Sequence, residues 1–254
     1  MILDSFRLDG QVALVTGTSR GLGHGAAIAL AEAGADVALL DRGEATETAE
    51  RIRALGRRVL PLRCDFATAS PEELASAVTE VVDELGRVDV LVNNAGTIRR
   101  APAIDYTPDD WSDVLRVNLD AVFHLSQAAG RKMLAQGSGR IINVASMLSF
   151  QGGILVPAYA ASKHAVAGLT KALANEWAAA GVTVNAVAPG YMATDNTSAL
   201  RADEDREKSI VARIPAGRWG EPADLAGVFV FLASAASAYV TGAVIPVDGG
   251  WLVR

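Results

Sequence analysis

Short runs of consecutive apolar residues alternate along this chain with longer stretches in which apolar positions recur at helical spacing. The runs at 12–16, 35–40, 58–64, 88–92, 141–145, 182–188 and 243–247 are short and bounded by turn residues, as buried strands are. Between them the spacing predicts helices over 26–33, 44–55, 71–85, 108–133, from Pro157 onward and over 222–232. Pro71 followed by Glu72 and Glu73 marks a helix start, with acids where the dipole favours them. Gly137 and Gly139 are expected to break the chain before the 141 strand. Trp111, Val114, Leu115, Val122 and Leu125 are expected to be core; Asn118 among them is a polar amide that needs a partner. Strand and helix alternate without a linker or low-complexity segment. The expected architecture is therefore α/β: a single domain with one doubly wound parallel sheet and helices on both faces.

Composition narrows the function classes. The 254 residues are half hydrophobic, enough for a sizeable core, and the net charge of −6 argues against a general nucleic-acid binder. No apolar run approaches the length that spans a bilayer, and the first residues carry no basic, apolar leader, so neither membrane insertion nor secretion is expected. The single cysteine, Cys64, allows no internal disulfide and no cysteine-based metal cluster; it is expected to be a small buried residue in a cytoplasmic protein. His24, His124 and His164 lack metal-like spacing and are assigned packing or surface roles, so no metal site is expected.

Three stretches carry chemistry. The first is Thr16-Gly17-Thr18-Ser19-Arg20-Gly21-Leu22-Gly23, a glycine loop between a strand and a helix. That context makes a phosphate cradle: Gly17 permits the tight turn, while Gly21 and Gly23 allow a pyrophosphate to approach backbone N–H groups. Asp41 ends the next strand, close to the offset of a carboxylate that binds a ribose hydroxyl pair, although a helix cap is the alternative. The third strand ends at Asp65 and Phe66, where an adenine could sit. The second stretch is Asn93-Asn94-Ala95-Gly96, whose amides either face a ligand or brace neighbouring loops. In the third, Ser146 ends a strand and Tyr159 and Lys163 lie four apart on a helix face. An ammonium beside a phenol lowers its pKa, so the pair is an acid–base device, with the Ser146 hydroxyl at the sheet edge where open α/β sheets place ligands. The charged segment 200–209 reads as a solvated helix or as a lid over a site.

Together, Thr16-Gly-x-x-x-Gly-x-Gly23, Asn93-Asn-Ala-Gly96, Asn118, Ser146, Tyr159-x-x-x-Lys163 and Pro189-Gly190 with Thr194 resemble the short-chain dehydrogenase/reductases over essentially the whole chain. The stretches 94–100, 145–153, 188–194, 200–203 and 213–220 are similar to the members of that family that act on sugar acids with NAD. The resemblance implies a Rossmann-type fold, with a dinucleotide-binding half near 1–150 and a substrate part near 151–254. It implies that Tyr159 is the general acid–base, that Lys163 lowers its pKa and binds the nicotinamide ribose, that Ser146 bonds the reacting oxygen, and that Asn118 helps hold a relay water. Cofactor contacts are expected from Gly17, Ser19, Arg20, Gly21, Leu22, Gly23, Asp41, Asp65, Phe66, Asn93, Ala95, Gly96, Tyr159, Lys163, Pro189, Gly190, Met192 and Thr194. The expected cofactor is NAD; Arg20 and Arg42 would weaken the discrimination against NADP. For a sugar-acid substrate, Arg99 or Arg100 is expected to anchor the carboxylate, with Ser146 and Gln151 nearby. The family is usually tetrameric, which suits the long helices after Pro108 and Pro157. The alternatives are gluconate 5-dehydrogenase or 3-oxoacyl reductase activity, or a nucleotide-sensing regulator without chemistry.

Overall fold

Seven parallel strands, in the order β3-β2-β1-β4-β5-β6-β7, form one sheet in a computed structural model that describes residues 1–254, the side chain of Asn196 excepted. The strands are β1 (Val12–Thr16), β2 (Asp36–Asp41), β3 (Val59–Arg63), β4 (Val90–Asn93), β5 (Gly139–Val144), β6 (Val182–Pro189) and β7 (Val244–Val247). β1, β4 and β6 are buried along their whole length, as near-continuous apolar strands in a parallel sheet must be. The outermost strands β3 and β7 are half-exposed, and each carries a proline, Pro61 and Pro246. Proline lacks the N–H that a central ladder requires, so it is confined to such edges. The order reverses between β1 and β4, and that switch point opens the crevice where ligands of this architecture bind.

The helices are α1 (Gly21–Glu32), α2 (Thr46–Ala54), α3 (Pro71–Leu85), α4 (Pro108–Leu115), α5 (Ala121–Gln136), α6 (Pro157–Trp177), α7 (Ser198–Ala202), α8 (Glu204–Arg213) and α9 (Ala226–Ala233). Successive strand residues point to opposite faces, which divides the core. Ala13, Val15 and Val92 pack with Leu30 of α1 and Phe229 of α9. Val12, Leu14 and Leu91 pack with Val78 of α3, Leu125 of α5 and Leu173 of α6. Truncating a fully buried side chain such as Leu14 or Ile141 to Ala costs about 2–5 kcal/mol at such sites. α3 starts with a reciprocal cap, Ser70 Oγ accepting from Glu73 N while Glu73 accepts from Ser70 N, and ends at Gly86 in the left-handed region.

Several expectations need correction. The helix expected over 108–133 contains a π turn at Arg116–Asp120, where Ala121 N bonds to Arg116 O. Trp111 is 41% exposed rather than core. Gly137 does end α5, but Gly139 begins β5, where a Cβ would collide with Met133. Cys64 is half-buried rather than enclosed, because it follows an edge strand. The charged segment is neither one helix nor wholly solvated: Asp203 caps α8 through Arg206 N, and Ile210 of α8 is buried. No helix of the described residues is long and apolar enough to cross a membrane.

Candidate active site

A cleft of about 740 Å³ runs along the carboxyl edge of the sheet, from Asp41 and Asp65 at one end to Tyr159, Arg213 and Trp251 at the other. Its first end is built by a lock between β1 and β4. Thr16 Oγ1 accepts from Asn94 N and Ala95 N, both at 2.9 Å. Asn94 Nδ2 donates to Thr16 O at 2.9 Å and Gly17 O at 3.1 Å. Gly17 and Gly21 hold positive φ, +70° and +62°, which side-chain-bearing residues adopt at a cost. α1 has no side-chain cap, so no side chain satisfies the N–H groups of its first turn. An uncapped helix N-terminus lined by Gly17, Ser19 and Gly21 fits a pyrophosphate.

Some expected cofactor residues are placed elsewhere. Gly23 is buried and does not line the cleft; a Cβ there would stand 2.1 Å from Gly17 O, so it serves helix–loop packing, not phosphate approach. Asn93 lies within the sheet, donating to Ser126 Oγ at 3.0 Å and Asn143 Oδ1 at 2.9 Å, because its side chain points to the opposite side from the cleft; Asn94 lines it instead. Pro189 and Met192 are buried and do not line the cleft; Met192 packs in the core, while Gly190 and Thr194 beside them do line it. Phe66 lines the cleft although it also packs in the core. Ser19, Arg20, Gly21, Leu22, Asp65, Ala95 and Gly96 all line the cleft as expected.

Asp41 is buried at the end of β2 and is not a helix cap. Its carboxylate accepts from Ser19 N at 2.8 Å and Gly43 N at 3.1 Å, fixing the glycine loop against the second strand. Arg20 turns away from it to pair with Asp195 at 3.0 Å. His24 is half-buried, and burial pushes its pKa below the usual range. Its Nδ1 lies 2.7 Å from Thr48 Oγ1, which donates to Thr18 O, so it braces the same loop.

At the other end, β5 delivers Ser146 and the first turns of α6 deliver Tyr159 and Lys163. Lys163 is buried, with Nζ 5.6 Å from the centroid of the Tyr159 ring and donating to Val144 O at 2.6 Å. Burial lowers its pKa from 10.5 to about 8. Burial raises the Tyr159 pKa; the Ser146 hydroxyl and the Arg100 charge oppose that rise. A residue that sequence reading passed over, Ser149, ties the group together: its hydroxyl donates to Lys163 O at 2.7 Å and accepts from Ser146 N at 3.3 Å.

Asn118 sits fully buried in the π turn. Its Oδ1 accepts from Thr97 N at 2.8 Å, and its Nδ2 donates to Thr97 O at 2.9 Å and Ser162 Oγ at 3.3 Å. The amide is therefore engaged in holding the 97 loop against α6. The two loops over this end are joined by Ala101 N donating to Leu155 O at 3.0 Å, with Leu155 in the left-handed region at φ 65°. Such a conformation costs about 1–3 kcal/mol and is found where a site imposes it. Arg99, Arg100 and Gln151 all line the cleft, Arg99 being also paired with Asp110 and Asp113 at 3.4 and 3.5 Å.

Residues 17–252 match the family described as enoyl-(acyl carrier protein) reductase. The chain belongs to the short-chain dehydrogenase/reductases. It is 56% identical to the 2-dehydro-3-deoxy-D-gluconate 5-dehydrogenase of Dickeya dadantii over the full length of both, and 54% identical to the protein of that name from Escherichia coli K12, again over both full lengths. Among solved structures, a gluconate 5-dehydrogenase from Burkholderia cenocepacia J2315, in complex with NADP and tartrate, superposes with a TM-score of 0.95 at 43% identity, covering all of both chains. Family membership makes the chain an oxidoreductase, and the single-domain parallel sheet expected from the strand pattern is the sheet observed.

Proposed function

We propose that the protein oxidises a secondary alcohol of a sugar acid to a ketone, and catalyses the reverse, using NAD, with 2-dehydro-3-deoxy-D-gluconate reacting at C5. The observation that carries this reading is the Tyr159 phenol, held between Ser146 and Lys163 at one end of a cleft whose other end is an uncapped helix N-terminus. The full-length identity to the Dickeya and Escherichia enzymes supports the substrate.

When bound, the dinucleotide supplies the hydride acceptor or donor. Gly17, Ser19 and Gly21 hold its pyrophosphate, Asp41 and Asp65 face its adenosine end, Asn94, Ala95 and Gly96 flank it, and Gly190 and Thr194 close the nicotinamide end. The larger part of this binding falls in residues 1–150, and residues 151–254 shape the substrate end. In oxidation, the Tyr159 phenolate takes the proton of the reacting hydroxyl, while the Ser146 hydroxyl hydrogen-bonds its oxygen. Burial raises the phenol pKa, and the Ser146 hydroxyl and the Arg100 charge counter it toward the ionised form. Lys163, with a pKa about 8, exchanges protons near neutral pH and passes the proton on toward the Asn118 turn. Arg100 and Gln151 contact the substrate hydroxyls.

NAD is preferred to NADP in this reading, although the Burkholderia relative holds NADP. A 2′-phosphate beside the Asp41 carboxylate would face a like charge at a few ångströms, worth several kcal/mol at an effective dielectric of ~20. Arg20, which would offset it, is drawn to Asp195. We also propose a cytoplasmic homotetramer, with the exposed Trp111 and Phe123 of α4 and α5 among the covered residues. The test of function is the appearance of reduced nicotinamide with 2-dehydro-3-deoxy-D-gluconate, D-gluconate and a 3-hydroxyacyl thioester. The first should give the highest kcat/KM. Turnover of the thioester alone would overturn the sugar-acid reading, and none with any would favour a nucleotide sensor.

A further inference from the structure

We infer that the carboxylate of the sugar acid is held by Arg213, assisted by Arg206, both on α8, and not by the arginines that follow the Asn-Asn-Ala-Gly turn. The inference rests on the sugar-acid reading above and assigns its binding determinant.

The stripe Arg206, Ile210, Arg213 recurs at i, i+4 and i+7, which places the three on one face of α8. That face is seated: Ile210 is buried with Met147, the residue after Ser146, and with Trp251. Its two flanking positions, which an ordinary amphipathic helix fills with apolar residues, are arginines, and both line the cleft. Arg213 lies over the Trp251 ring, its Cζ 4.0 Å from the centroid. Trp251 packs edge-on against Tyr191 at 4.8 Å, so the shelf beneath Arg213 is rigid. A guanidinium stacked in this way keeps its in-plane N–H groups free for a bidentate carboxylate. Burial pushes the Tyr191 phenol up, and the charges of Arg206 and Arg213 oppose that rise.

The other arginines are less suited. Arg20 and Arg99 are neutralised by Asp195 and by Asp110 with Asp113, whereas among the described residues neither Arg206 nor Arg213 makes an ion pair with a carboxylate. Arg100 lines the same cleft, and its charge, with the Ser146 hydroxyl, opposes the burial that raises the Tyr159 phenol. The C1 carboxylate is four carbon–carbon bonds from C5, at about 1.5 Å each. A carboxylate that far from the reacting carbon needs an anchor on the cleft wall other than the groups around the phenol, and Arg206 and Arg213 line that wall.

The test compares 2-dehydro-3-deoxy-D-gluconate with its C1 amide in wild type, Arg213→Gln, Arg206→Gln and Arg213→Lys. Arg213→Gln should raise KM for the acid about 10- to 100-fold, the range of a lost charge-assisted pair, with kcat within about threefold and KM for the amide unchanged. Arg206→Gln should do the same more weakly, and Arg213→Lys should recover part of the loss. Cofactor affinity and urea midpoint, measured on the same proteins, should not move. Equal KM changes for acid and amide, or an unchanged acid KM in both Gln variants, would overturn the inference. If wild type fails to turn over the acid, the functional reading falls, and D-gluconate titrated against tryptophan fluorescence decides this one separately. Saturable binding lost in Arg213→Gln upholds it, and binding that is absent in wild type or unaffected in the variant overturns it.

Discussion

Replacing Gly23 by Ala should weaken both the fold and the dinucleotide site, against the usual sign of that substitution. In a helix interior, Ala is ordinarily better than Gly by about 0.5–1 kcal/mol. At Gly23 the new Cβ would stand 2.1 Å from Gly17 O and 2.4 Å from Asn94 Nδ2. A carbon and a carbonyl oxygen approach no closer than about 3.3 Å, so the glycine loop or α1 must retreat by roughly 1 Å. The loop is not free to yield. Gly17 N is bonded to Leu40 O at 2.9 Å, and Asn94 Nδ2 is bonded to both Thr16 O and Gly17 O. Losing the two Asn94 bonds costs about 1 kcal/mol each, more where the groups stay buried. Set against the propensity gain, the net is a destabilisation of about 1–3 kcal/mol, which a protein with a typical 5–15 kcal/mol margin survives. The retreat also withdraws the α1 N–H groups from the pyrophosphate, so the dissociation constant for NADH should rise about 10- to 100-fold. Urea unfolding and NADH fluorescence titration measure the two effects. Gly227→Ala is the control: nothing lies within 4 Å of its added Cβ, and it should be neutral or stabilising. A Gly23→Ala protein as stable as wild type, with unchanged NADH affinity, would refute the steric lock.

Tyr159→Phe should keep NADH affinity while lowering kcat about 10²- to 10⁴-fold; a rate within about threefold of wild type would remove Tyr159 from the acid–base role. Asp41→Ala should move the ratio of kcat/KM toward NADP, and a wild-type ratio already favouring NADP would show that the arginines outweigh the carboxylate. Lys163→Met should stabilise the cofactor-free protein relative to wild type, with a pH dependence of defined sign. The Lys163 pKa is about 8 in the fold against the ordinary 10.5, so between those values the unfolded chain holds the extra proton. The cost of burying the charge therefore grows as pH falls through that window and is complete below about pH 8, where it is of order 3 kcal/mol. Urea midpoints of both proteins at pH 7 and pH 10.5 measure it, and a difference that stays constant or grows with pH would contradict the assignment.

The strand runs, the glycine loop and the Tyr159–Lys163 spacing were legible in the sequence because each is local. A short apolar run bounded by turn residues suits a buried strand, positive φ selects glycine at Gly17 and Gly21, and a four-residue helical interval sets two side chains on one face whatever packs against it. The side of the sheet that receives a polar residue was not legible in the same way. Asn93 and Asn94 are neighbours in the chain, yet one braces the sheet and the other lines the cleft, because alternate residues of an extended strand point oppositely. Gly23 belongs to packing and not to phosphate because of a carbonyl six residues earlier and an amide from another strand. Arg99 is paired with two carboxylates on α4, and Arg213 lies over a tryptophan near the end of the chain. Sequence order says which charges exist; only the tertiary structure decides which are neutralised by a neighbour and which are left facing the ligand.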